Sequence, residues 1–416
     1  MISFWRIFSL EFTALVRSKT LALLAVAGTA WMFALPYLIR GDGTVDGARE
    51  LYVHYSLGGV FALVVVAMIA TGTGAIAGER TAKRLQLTLV RPVSRFSVAM
   101  GRILAEVTCG ALVLALAALI LAFRTDLSRP CNHVLYPVMP SPAEEAKVMY
   151  GTFMADPDTP VAIKRAKKST VLRILAQRAV DHYQTIATNA TTTWKFREVG
   201  DGRKLAVRMR FTNQLEMRQD VLGEFRLGDG RVTVSNITQA VITLPLVGSV
   251  GSATELAFDN RGKNTLMLRP RKDLNLLVEA DGFGFNLVRA YVAMVSILAM
   301  IAAICILLST GLGRSVAIFV AFVTLAVSEM SPSVIDQYPD ELESNPIDRI
   351  GLCITRFSAE ITRPISELSP MSALATDECV ELKQVARFVA VNLVTVPVLA
   401  ALLAAFLMPR KESDMV

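Results

Sequence analysis

The stretch Ala77-Gly-Glu-Arg-Thr-Ala-Lys-Arg-Leu-Gln-Leu-Thr-Leu-Val-Arg-Pro-Val-Ser-Arg-Phe-Ser-Val-Ala-Met-Gly-Arg-Ile-Leu104 decides how the whole chain is read. It is an amphipathic, basic connector with an apolar run on either side, setting Arg80, Lys83, Arg84, Arg91, Arg95 and Arg102 against a single acid, Glu79. Positive charge in a short loop beside membrane spans resists translocation, whereas acids count for little, so this loop belongs on the cytoplasmic side. Arg91-Pro92 ends whatever helix Lys83 to Leu89 forms, because proline disfavours helical geometry in the residue before it. Ser94 is then placed to cap the helix that becomes the next span.

The bulk numbers agree with a membrane reading. Of 416 residues, 53% are apolar and only 19% charged, and the mean hydropathy is +0.47, values that suit a multispanning membrane protein with an appended soluble part. The net charge of +7 raises the possibility of nucleic-acid binding, but the bases concentrate beside apolar runs and in one inserted region. Topology explains much of that excess, and no nucleic-acid partner is expected. A cleaved signal is not expected either: nearly twenty residues, Glu11 among them, precede the first apolar run, and no small-x-small site follows it.

Outward from the connector, six membrane helices are expected. Residues 1–19 form an interfacial amphipathic helix, with Phe4, Trp5, Phe8, Phe12, Leu15 and Val16 on one side and Arg6, Ser9, Thr13 and Arg17 on the other. Residues 20–123 hold spans at Thr20 to Ile39, Leu57 to Ala77 and Ile103 to Phe123, with the connector, 79–102, between the second and third. Gly72-x-Gly74-x-x-x-Gly78 lacks the preceding strand of a nucleotide loop and reads as close helix packing. Glu106 stands one turn from Arg102 and is expected to reach the interface rather than to act within the membrane. Residues 287–328 supply spans four and five, the fifth short; 329–385 form an acidic exoplasmic loop with short helices; 386–416 hold the sixth span, kinked at Pro397, and a tail with Arg410-Lys411 that belongs in the cytoplasm.

Residues 124–286 are a polar insert, exoplasmic by alternation of sides. Its first half reads helical: Ser141-Pro142-Ala143-Glu144 is a capping box with proline at the first helical position, and Thr159-Pro160 opens a helix to about Tyr183. Its second half reads as strands. Lys204 to Phe211 alternates cleanly, with Leu205, Val207, Met209 and Phe211 on one face. Further strands are expected at 194–199, 222–227, 232–234, 240–246, 254–258, 265–268 and 274–280, with hairpin turns at Gly200-Asp201-Gly202 and Gly228-Asp229-Gly230. The spacing suggests an α+β domain ending in a β-sandwich.

Gly78-Glu79-Arg80, Leu85-Gln86-Leu87-Thr88-Leu89 and Arg91-Pro92-Val93-Ser94-Arg95 together resemble the cytoplasmic connector of ABC-2 type transporter permeases, where a Gly-Glu-Arg opening and a Pro-Val-Ser-Arg ending flank a Leu-rich segment. A Gly-Thr pair usual between the two ends is here Lys83-Arg84. The resemblance covers the membrane part and not the insert. It implies that the connector is a coupling helix that docks on a separate ATPase subunit, with Glu79, Arg80, Leu85, Leu87, Leu89 and Arg91 as the contacts. It also implies a dimer of permeases, identical or not, on a pair of ATPases in a bacterial cytoplasmic (inner) membrane, with both termini cytoplasmic.

Other constellations are weaker. No GxxxxGK[ST] occurs, so ATP and Mg are expected on the partner ATPase, and no cofactor in this chain. No nucleophile elbow or HExxH supports an enzyme. Cys131, His133, Met139, Met149 and Met154 are soft-ligand types at irregular spacing, and no metal site is assigned to them. Cys353 and Cys379 share one exoplasmic segment and are candidates to pair, with two free thiols as the alternative. The basic run from Lys164 to Lys168, continued by Arg173 and Arg178, reads as a solvated helix face. From a different class, the rival reading is a membrane-anchored receptor or scaffold whose exoplasmic domain binds a ligand or partner protein.

Overall fold

A computed structural model describes residues 2–39, 45–82, 93–157, 167–180, 182–197, 204–212, 220–238, 241–246, 254–337 and 370–408. In chain order the elements begin with α1 (Ile2–Arg17), α2 (Thr20–Leu38), α3 (Val45–Thr81) and α4 (Arg95–Arg124). There follow β1 (Pro130–Leu135), α5 (Pro142–Ala155), α6 (Lys168–Val180), β2 (Gln184–Ile186), β3 (Thr191–Lys195), β4 (Leu205–Met209), β5 (Asp220–Leu227) and β6 (Gly230–Ile237). Next come β7 (Ile242–Leu246), β8 (Glu255–Asn260), β9 (Leu266–Leu268), the single turn α7 (Pro270–Asp273) and β10 (Leu274–Gly282). The last helices are α8 (Phe283–Gly311), α9 (Arg314–Gln337), α10 (Pro370–Ala375), α11 (Leu382–Phe388) and α12 (Val396–Leu407), with a π-helical segment, Val389–Thr395, joining the final two.

The chain divides into two compact units. One is helical, 1–129 with 282–338 and 344–416; the other contains 130–281. Among the described residues of the helical unit, five helices are long and apolar enough to cross a membrane: α2, α3, α4, α8 and the run Leu382–Leu407. The expected fifth span appears as a shorter apolar stretch, Arg314–Ala326. Helix α8 is the central post, with 72% of its apolar window buried against 17% for α2. The outward faces keep large apolar side chains exposed, Val26, Phe123, Phe319 and Phe406 among them. Such surface is unfavourable in water and natural against lipid tails.

Of the apolar face expected of α1, Trp5 and Val16 are exposed and Phe4, Phe8, Phe12 and Leu15 half-buried; outside that face, Leu10 is exposed and Ile7 turns inward. Lys19, at φ 61°, ends it one residue before α2. In the last span the disturbance lies N-terminal to Pro397, which has no N–H to give to a regular ladder. There the π-helical turns of 389–395 widen the helix, and Val396 N–H bonds back to Val391.

In the second unit, β1-β10-β4-β7 and β3-β8-β5-β6 form four-stranded sheets, and β2-β9 a two-stranded one. The ladders of β10 with β4, β4 with β7, β2 with β9, β3 with β8, and β5 with both β6 and β8 are antiparallel. Strand β4 follows the predicted alternation, with Leu205, Val207 and Met209 buried and Ala206 and Arg208 less so. Side chains from all three sheets meet in one apolar core that includes Trp194, Val207, Phe258, Leu266 and Leu276. Its centre is aromatic: Phe211, Phe225 and Phe258 approach one another with ring centroids 4.5 to 6.4 Å apart.

Leu227 pairs with Gly230 in the β5–β6 hairpin, leaving Gly228 and Asp229 as the two loop residues. Gly228 has φ 59°, which suits glycine at the first position of a two-residue turn. The other expected turn, Gly200 to Gly202, lies outside the described residues. The Ser141 capping box forms as expected, and α5 packs on α6 through Ala146, Val171 and Leu175. Helix α6 starts at Lys168 and stops at Val180, short of Tyr183; the segment 158–166, with Lys164 and Arg165, lies outside the described residues. Strands β1 and β2 were not expected from the sequence. Six and three residues long, they lack sustained alternation.

Candidate functional site at the flanks of the connector

The described parts of the connector are its two ends. Helix α3 runs through Glu79 and Arg80 to Thr81. Helix α4 starts at Arg95, with Ser94 at its N-cap accepting from Ser97 N–H at 3.1 Å. Leu85, Leu87, Leu89 and Arg91 lie in 83–92, outside the described residues.

At these ends the basic side chains turn onto the helical unit. Arg102 is 2% exposed; its Nε donates to Glu11 Oε1 at 2.8 Å and one terminal nitrogen lies 2.6 Å from Glu79 Oε2. The other terminal nitrogen donates to Ala75 O at 3.1 Å. One guanidinium thus ties α1, α3 and α4 together, using the planar fork that lysine lacks. Arg80 donates from both terminal nitrogens, to Thr310 O and Leu312 O, each at 3.0 Å. These are carbonyls at the C-terminal end of α8, where a cation offsets the helix dipole and satisfies orphan acceptors. Arg95 does the same for α12 by donating to Met408 O at 3.1 Å.

The opposite end of the helical unit has its own cluster. Arg49, near the start of α3, donates to both Asp377 oxygens at 2.8 Å, and Arg129 stands 3.1 Å from the same carboxylate. Asn286 fixes the adjoining segment, donating to Glu378 O and accepting from Val380 N–H, both at 2.7 Å.

Two of the three small positions in α3 are in close contact. A Cβ at Gly72 would lie 2.6 Å from Glu106 Oε2 and 3.0 Å from Cys305 Cβ, and one at Gly74 would lie 3.1 Å from Arg314 Nε. Gly78 meets nothing within 4 Å.

The structure corrects the reading of Glu106. It does not reach the interface: it is 5% exposed, Arg102 being taken by Glu11 and Glu79. Its Oε2 has no hydrogen-bond partner among the described residues. Glu106, Thr71 and Cys109 line a cavity of about 30 Å³, large enough for a water molecule. Asn392 was also missed. It sits in the π-helical segment at 0% exposure, with neither amide atom partnered among the described residues. Its signal was a lone asparagine in an apolar span, and intramembrane polar groups mark function more often than chance.

The cysteines separate by redox state. Cys109 and Cys305, in α4 and α8, are free, whereas Cys131 and Cys379 are each disulfide-bonded. Cys353, the expected partner of Cys379, lies outside the described residues. No group of three or more His, Cys, Asp or Glu poised for a metal occurs among the described residues. Compared with family models, curated proteins and solved structures, the chain matches none of them.

Proposed function

We propose that this chain is the membrane-spanning permease subunit of an ABC-2 type transporter, coupling ATP hydrolysis on a separate ATPase subunit to movement of a substrate across a bacterial inner membrane. The observation that carries the reading is the anchoring of the connector at both ends. Glu79 and Arg102 lock α3 to α4 and α1, while Arg80 and Arg95 clamp the C-terminal ends of α8 and α12. A push on residues 83–92 is thereby transmitted to five helices. Glu79 and Arg80 serve in this reading as the hinge mount of the coupling segment, with Leu85, Leu87, Leu89 and Arg91 left to enter the ATPase.

The same contacts support six crossings. Arg80 brings the end of α8 to the connector's side, and Arg95 brings the end of α12 there too. Since Leu382–Leu407 is one span ending on that side, it starts on the other. The chain between Gly311 and Leu382 therefore crosses once more, and α9 is the helix available for it. Disulfide bonding at Cys131 and Cys379 supports an oxidising exterior for the insert, with a β-sandwich in it, and for the segment before the last span. The termini then lie in the cytoplasm. The site has no P-loop of its own, so ATP and Mg belong to the partner, and a second permease completes the translocation path.

The test is purification of the full chain from its native membrane in mild detergents. A P-loop ATPase is expected in stoichiometric amount, and Leu87→Asp is expected to release it while leaving membrane insertion intact. Co-purification retained after Leu87→Asp defeats the docking assignment. Absence of any ATPase across several detergents favours instead an anchored receptor or scaffold.

A further inference from the structure

The soluble unit contains a concave site of about 710 Å³, formed within 130–281. One wall is the outward face of α5. Its other face is spent on α6, yet Val148 is 80% exposed and Met149 38%, on a helix whose solvent side should be polar. Facing them are Val138 and Met139, 55% and 38% exposed, from the segment after β1. Trp194 of β3 also lines the site, its indole N–H held by Gln184 Oε1 at 2.8 Å. The volume falls in the range of small-molecule sites, which are mostly apolar with a few convergent polar groups.

Among the described residues, three of the four charged side chains around the site, Arg271, Glu145 and Lys195, are paired from within, and Glu144 is not. Arg271 donates to Glu145 Oε1 at 3.0 Å, to Ala179 O at 3.2 Å and to Pro140 O. Lys195 pairs with Glu255 at 3.2 Å. The Glu144 carboxylate accepts Ser141 N–H at 3.0 Å, and hydrogen bonds from the Ser141 backbone and side chain hold it below the usual glutamate range. Among the described residues, Thr193, His182 and the amide nitrogen of Gln184 remain to bond a ligand.

We infer that this site binds a predominantly apolar small molecule, not an anion, bearing one or two hydrogen-bonding groups. An anion would meet the Glu144 carboxylate with no unspent cation to offset it, whereas an apolar body covers Val148, Met149 and Val138, whose side chains stand exposed among the described residues. The inference goes beyond the permease assignment and does not depend on it, because the pocket lies wholly in the soluble unit.

The test uses the full chain in lipid nanodiscs and a neutral photoreactive probe, a trifluoromethyl-phenyldiazirine carrying one benzylic hydroxyl, with adducts mapped by mass spectrometry. Adducts are expected on the peptides holding Val148, Met149 and Trp194, displaced by excess of the non-photoreactive alcohol. Val148→Asp and Met149→Asp put a further, unpaired carboxylate beside Glu144 and Glu145 at the apolar wall, and each should cut pocket labelling by about tenfold or more. Labelling of the spans should be unchanged. Val148 is exposed enough that its replacement leaves folding intact, and unaltered hydrogen exchange across β5 and β6 checks this. Pocket labelling no denser than at exposed Val241 and Leu222 overturns the inference, as does labelling indifferent to both substitutions. Adducts joining this face to another protein chain overturn it in favour of a macromolecular partner.

Discussion

At the scale of single residues, Arg102 is the clearest case of one side chain organising many. Replacing it with alanine leaves Glu11 and Glu79 facing each other without their shared cation and frees Ala75 O. Breaking a fully enclosed pair costs about 3–5 kcal/mol, but both acids keep partial exposure, 28% and 30%, and water moderates the loss. We expect Arg102→Ala to destabilise the helical unit by about 2–3 kcal/mol, and Arg102→Lys by less, since it restores charge without the fork. Thermal unfolding in nanodiscs measures this; an unchanged midpoint for the alanine variant means that the cluster is solvated and does not anchor the connector. The sequence marked Arg102 as basic and near the interface. It did not disclose Glu11 as a partner, because 91 residues separate them and no local pattern reports contacts at that separation. Glu106 was misjudged for the same reason: its proximity to Arg102 in sequence said nothing about which acids would reach the guanidinium first.

At the scale of elements, periodicity was legible wherever one face alone is buried. Strand β4 and the Ser141 cap follow directly from spacing and capping chemistry, and the close packing expected of the α3 glycines holds at Gly72 and Gly74. Strands β1 and β2 were hidden because three to six residues carry too little pattern to compete with a helical reading of the region. Glycines offer a graded test of this packing. In β5, a Cβ at Gly223 would stand 2.5 Å from the Phe258 ring and 2.6 Å from Asp259 O, and neither a core ring nor a paired strand backbone can yield. Gly223→Ala is therefore expected to cost about 2–3 kcal/mol by overpacking. Gly78, near the end of α3, has open space around it, so Gly78→Ala should be neutral or stabilise by up to about 1 kcal/mol through helix propensity. Hydrogen exchange of β5 and α3 peptides reads both, and equal effects at the two sites contradict the packing described here.

For the whole molecule, the proposed inside and outside of the chain rest on chemistry that does not involve transport. The basic connector argues for one side, and the disulfide-bonded state of Cys131 and Cys379 for the other, while Cys109 and Cys305 are free within spans. Hydropathy made the membrane part legible, together with the polar insert that interrupts it. The short fifth crossing was ambiguous because Arg314–Ala326 is less than a bilayer thickness of apolar helix. The proposal that it crosses rests on the ends of its neighbours, which only packing supplies. A thiol experiment on intact cells tests the arrangement. A membrane-impermeant maleimide should leave half-buried Cys379 unmodified until an impermeant reductant is added, after which it should react. Cys305, 1% exposed in α8, should stay unmodified throughout. Reaction of Cys379 without reductant would show that its thiol is free in the native membrane. Failure to react after external reduction, with reaction only in permeabilised cells, would place the segment before the last span in the cytoplasm. That inversion would put the connector outside, beyond the reach of any cytoplasmic ATPase, and the permease reading would fall with it.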